Sequence, residues 1–186
     1  MRGAWRGLVG PLGAASSAAV LGAAGVGVAA VTRSTRERRS WPVAGVVGVV
    51  AADLIGGMVA FQIPETRRHY AETSLGSRLV LAIGHVQCFA LPLLGEGTWG
   101  RALKRWAGVV CGTMLLQSFV AEQDRRLVGS ALALFLGSAD LATDLTRQRW
   151  FGPVWAVKLV AGHATLPNQC RPLGLSLIHI SEPTRP

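Results

Sequence analysis

Three residues sit where a side chain that can ionise is costly. Asp53, His85 and Lys158 each fall near the middle of a long apolar run. In hydrocarbon a central Asp or Lys costs about 2.5–3.5 kcal/mol on insertion scales, so it faces a bundle interior and finds a partner. By position along their runs the three come to a similar depth. The simplest partner for Asp53 is Lys158, and His85 could donate to the same carboxylate. Such a cluster admits three roles: locking helices together, handling a proton, ion or ligand, and catalysis in which His85, His163 and Asp53 converge.

Each role leaves a different trace. His85 has Cys88 at i+3, one face of a helix, but two ligands do not close a metal site. No metal site is assigned, and the cofactor stays unknown. His163 lies five positions after Lys158, about 140° around a helix of 3.6 residues per turn. The two are therefore expected to point apart, with His163 nearer a membrane edge. Gln87 and Gln117 are expected to donate hydrogen bonds between helices. Asp140 and Asp144 fall late in their run and are expected at an interface. There is no Walker loop, no GxGxxG after a strand, no HExxH and no GxSxG, so no reaction is assigned.

The elements that must position these groups are six apolar runs, over 7–32, 41–63, 79–95, 106–121, 127–143 and 150–167. A spanning helix needs about 20 mostly apolar residues, with a range of about 17–25. The first two runs meet this comfortably and the other four sit at the short end. Of 186 residues, 50% are hydrophobic and 16% charged, with a mean hydropathy of +0.37. A soluble domain carries about a quarter charged residues, so too few polar groups remain to coat a soluble globule. Tryptophans fall at run ends, at Trp41, Trp99, Trp106 and Trp150, where interfacial aromatics belong. The runs do not alternate apolar with polar as barrel strands do. The expectation is an all-α, polytopic transmembrane helix bundle of five or six spans in the cell membrane. Its partner is the lipid bilayer, and an oligomer stays open. Pro92 should kink or end the third helix.

Within the second run, Gly48, Ala52, Gly56 and Ala60 recur every four residues. Small residues let helix backbones approach closely. Gly57 lies beside that stripe, four residues after Asp53, which places Asp53 at the edge of a tight contact. In the polar segment 64–78, Arg67, Arg68 and Tyr70 are expected to meet phospholipid headgroups.

The formal charge is +9, with 17 of 19 basic residues Arg. These arginines punctuate apolar runs instead of clustering with aromatics on one surface, which argues against a nucleic-acid partner. Three scattered cysteines, Cys88, Cys111 and Cys170, make neither a disulfide framework nor a CxxC site. The loops after runs one, three and five carry nine basic residues against seven on the other side. That difference favours the first set as cytoplasmic.

The chain divides into an Ala/Gly-rich segment with a basic loop over 1–40, a bundle over 41–167, and a tail over 168–186. The first segment reads as a membrane helix or a signal-like stretch. Residues 53–57 read DLIGG, 64–70 read PETRRHY, and Gly84 precedes His85. Near the end, 149–153 read RWFGP and 158–163 read KLVAGH. As a set these motifs resemble a group of small multipass integral membrane proteins of high-GC bacteria, over about residues 43–167. The resemblance implies a membrane bundle and no particular activity. Residues 175–186, LSLIHISEPTRP, resemble a translated sequencing adapter, so they and His179 stay outside the functional reading.

Overall fold

The chain is all-helical among the described residues, which in this computed structural model are 2–71 and 75–167. The tail beyond 167, with its adapter-like stretch, lies outside them. The helices are α1 (Arg2–Val9), α2 (Ala14–Arg36), α3 (Trp41–Ala60), α4 (Pro64–Ala71), α5 (Leu75–Gly84), α6 (Ala90–Leu93), α7 (Trp99–Phe119), α8 (Arg125–Thr143) and α9 (Phe151–Ala156). A 3₁₀ turn, Gln87–Phe89, precedes α6, and α9 runs on as a π-helix over Val157–His163.

Run 7–32, expected as one helix, is broken, and run 79–95, expected to kink or end at Pro92, breaks elsewhere. Run 7–32 splits at Gly10, whose φ of 82° lies in the left-handed region that favours glycine. Pro11 follows, and the residue before a proline is steered away from the helical region. The run 79–95 breaks after Gly84, eight residues ahead of Pro92, which sits inside α6. Trp106 Nε1 donates to Ile83 O at 2.9 Å, serving a carbonyl at the end of α5.

Small residues set how the helices meet. An added Cβ at Gly27 would strike Ile55, one at Gly48 would strike Thr32, and one at Gly56 would lie 3.3 Å from Ala24 Cβ. Numbers rising on α2 pair with numbers falling on α3, so the two are antiparallel. Gly112 against Leu132 and Gly129 against Leu116 make α7 and α8 antiparallel in the same way. Gly137 against Pro153 and Gly129 against Thr165 do so for α8 and the last segment. That last segment lies alongside α3 in parallel, with Gly57 on Lys158 and Gly162 on Phe61. The path therefore alternates between the two ends of one bundle.

Four segments are long and apolar enough to cross a membrane: Ala14–Arg36, Trp41–Ala60, Gly76–Leu93 and Arg125–Thr143. Helix α7 is not among them, carrying Arg101, Lys104 and Arg105, and the last segment is short. Large apolar side chains face outward: Val26, Val49, Val80, Leu134 and Phe135 are exposed. Outward apolar side chains on long apolar segments are what a membrane-facing surface presents.

One end of the bundle is stapled by a single carboxylate. Glu96, buried between α6 and α7, accepts from Arg39 Nε at 2.6 Å, Gln148 Nε2 at 2.7 Å and Arg38 Nη1 at 3.2 Å. These donors come from the loops after α2 and α8. Burial alone would raise the Glu96 carboxyl, but hydrogen bonds from Gln148 and Arg39 and the charge of Arg38 hold it below its ordinary value. A carboxyl lowered on folding stabilises the fold above its ordinary value of 4.5, and that contribution fades as pH falls below it. Glu96→Gln is expected to lose about 1.5–3 kcal/mol at neutral pH, the range for hydrogen bonds to a charged group. It should also flatten the acid limb of the melting profile. Melting in detergent from pH 7 to pH 3 checks both, and an unchanged acid limb would contradict the assignment.

Candidate functional site

Asp53 projects from the middle of α3, and the last segment brings Lys158 against it. Lys158 Nζ donates to Asp53 Oδ2 at 2.7 Å. The side chains differ in exposure: 4% for Lys158 and 48% for Asp53. The glycine at position 57 makes room for the lysine, because an added Cβ would lie 2.5 Å from Lys158 Cε. Gln87 Nε2, from the turn after the α5 break, donates to the same Oδ2 at 3.1 Å. Gln87 thus holds the place expected for His85, whose Nδ1 instead lies 2.5 Å from Leu81 O on its own helix.

His163 is not turned away as a regular helix would place it. It is buried, and its ring centroid lies 6.0 Å from that of His85 and 5.6 Å from that of Phe61. The cause is the π-helix. Bonding between residues five apart, as in Ala164 N to Leu159 O at 2.8 Å, widens the turn and carries residues 158 and 163 to one side. His163 Nε2 is buried without a hydrogen-bond partner among the described residues. Cys88 is buried in the core. Among the described residues no three His, Cys, Asp or Glu side chains come together as a metal-binding group.

These groups share a cavity of about 360 Å³. Its polar floor is Asp53, Lys158, His85 and His163, and its walls include Val20, Ala24, Ala52, Gly56 and Phe61. Trp5, Leu8 and Val9 of α1 roof it. Helix α4 holds that roof by serving carbonyls at the end of α1. Thr66 Oγ1 donates to Val9 O at 2.7 Å and Tyr70 OH to Leu8 O at 2.6 Å. The stripe residues Gly48 and Gly56 face α2, while Ala60 is buried against Val9 and Val20.

The basic segment does not present a uniform face. Arg67 turns inward and donates to Thr165 O at 2.8 Å, Gly162 O at 3.2 Å and Thr165 Oγ1 at 3.2 Å, capping the last segment. Burial lowers its guanidinium, and the charge of Arg126 adds to that. Arg68 is exposed. Gln117 donates to Ala164 O at 2.7 Å, joining α7 to the last segment.

A second polar centre joins α7 to α8. Arg105 Nη2 donates to Asp140 Oδ2 and to Asp144 Oδ2, each at 2.7 Å, and its Nε donates to Asp140 Oδ1 at 3.1 Å. Arg101 adds Nη2 to Thr143 O at 2.6 Å. Asp140, partly exposed, and Asp144, enclosed, meet the two arginines in this ion group near the end of α8. No family model matches the chain, and no curated protein or solved structure matches it either.

Proposed function

We propose that the chain is a multipass integral membrane protein with an intramembrane binding pocket for an uncharged amphiphile. The outward apolar belt and the four long apolar segments support the membrane reading. The alternating path supports six crossings, with α7 presenting Leu103, Met114, Leu115 and Phe119 outward and the last segment enclosed by its neighbours. The loop end that bears Glu96 carries the larger basic count and faces the cytoplasm on this reading.

The observation that carries the pocket reading is the cavity floor. Asp53 and Lys158 neutralise each other there, while His163 Nε2 is left without a partner. A ligand head group that exchanges hydrogen bonds and bears no net charge suits this floor, meeting it through the half-exposed Asp53 carboxylate. Two irregular segments flank the same place, the α5 break and the π-helix. Non-helical backbone at membrane depth is tolerated where it is buried in protein or lines a cavity, and π-bulges recur at functional sites. Leu8 and Leu21 line the mouth and are exposed, which opens the pocket sideways to lipid.

Oleyl alcohol is the probe. Titrated into the detergent-purified chain, it is expected to raise the melting temperature of the wild type and not that of Leu21→Trp, which fills the mouth. Equal shifts in both proteins, or none in either, would refute the pocket.

A further inference from the structure

A second cavity, of about 450 Å³, opens between α7, the end of α8 and the start of α9. It shares no lining residue with the Asp53 cavity. Its character changes along α7. The first turns supply Thr98, Arg101 and Lys104, and farther on come Gly108 and Val109, with Leu136 opposite. The charged rim thus lies at the end of the bundle and the apolar wall toward its middle.

The rim carries unbalanced positive charge. Three cations, Arg101, Lys104 and Arg105, face two carboxylates, Asp140 and Asp144. Both arginines are engaged with those carboxylates, while Lys104 is exposed and has no hydrogen-bond or ion-pair partner among the described residues. Arg101 sits in the first turn of a 21-residue helix, whose N-terminal end favours an anion. The apolar half is walled by Gly108, Val109, Leu136 and Ala156, and an added Cβ at Gly108 would already touch the Leu136 methyls at 3.8 Å. Ligand pockets run from about 300 to 1,000 Å³, so the space suits one head group and part of one chain.

We infer that this cavity binds an anionic phospholipid, with its phosphate at Lys104 and Arg101 and an acyl chain laid along the wall of Gly108, Val109 and Leu136. Basic pockets between membrane helices bind such head groups. The same phosphate chemistry could come from a free phosphate ester, but an ester without a chain leaves the apolar wall uncovered. The inference rests on the membrane reading above and is independent of the Asp53 pocket.

The test uses the full chain in dodecyl maltoside, read by native mass spectrometry and by melting. Phosphatidylglycerol is expected to bind at one molecule per chain and to raise the melting temperature. Phosphatidylcholine and glycerol 3-phosphate should each bind about tenfold more weakly or worse. Lys104→Glu and, separately, Gly108→Leu should each weaken phosphatidylglycerol by about tenfold. Lys104 is exposed and unpaired, so its variant reports binding without disturbing the fold. Equal binding of the two lipids, equal binding of glycerol 3-phosphate, or an undiminished affinity in Lys104→Glu would each overturn the inference. A chain that stays in solution without detergent would instead overturn the membrane reading beneath it.

Discussion

Asp53→Asn is expected to destabilise the detergent-purified protein by about 3–5 kcal/mol, the range for removing one partner of a buried ion pair. Lys158→Met should cost markedly less. The asymmetry follows from how each group is surrounded. Lys158 is enclosed and among the described residues has one acceptor, Asp53 Oδ2. Taking away that charge leaves an ammonium in an apolar wall. Asp53 is half exposed to the cavity and keeps the Gln87 amide when the lysine goes. A methionine at 158 also fills the space beside Gly57 with a chain of similar length. The double variant Asp53→Asn/Lys158→Met should recover most of the loss, since neither member then carries an uncompensated charge. Melting temperature and membrane abundance of the three variants check this. Equal costs for the singles, or a double no better than Asp53→Asn, would show that the pair is not what holds α3 to the last segment.

That pair was legible because burial in an apolar run forces a charge to seek another. Depth along the run is enough to match Asp53 with Lys158. The phase of His163 was not legible. Residues 158–163 look like any apolar helix, and nothing in their local sequence marks the π-helix that brings His163 against Phe61. The breaks in the first and third runs were written in Gly10, Pro11 and Gly84, but composition alone merges each run into one helix. The Glu96 staple joins residues 38, 39, 96 and 148, and nothing local in the sequence relates three loops so far apart. The Arg105 group is different. Arg101 and Arg105 stand four apart on one side of the turn near 120–124, and Asp140 and Asp144 stand four apart at matching distance on the other. An antiparallel hairpin brings such pairs level, so the spacing alone carries this pairing.

Arg105→Met should therefore be the second large effect, again about 3–5 kcal/mol. Among the described residues its guanidinium is the only donor that reaches both carboxylates at 2.7 Å, and the Asp144 side chain is fully enclosed. Lysine cannot replace it, because a single ammonium lacks the planar fork that spans two carboxylates. Arg105→Lys should fall between the wild type and Arg105→Met. The pH dependence gives an independent reading. Burial would raise the Asp144 carboxyl, but the Thr146 hydrogen bonds and the charges of Arg101 and Arg105 hold it below its ordinary value. Its stabilisation is present above the ordinary value of 3.8 and is lost as pH falls below it. Without Arg105 that lowering shrinks, so acidification should remove less stability from Arg105→Met than from the wild type. Arg105→Met/Asp144→Asn should regain part of the loss by removing the enclosed carboxylate left without its partner. An Arg105→Met variant with wild-type melting and an unaltered acid limb would mean that α7 and α8 are held by their glycine–leucine contacts alone.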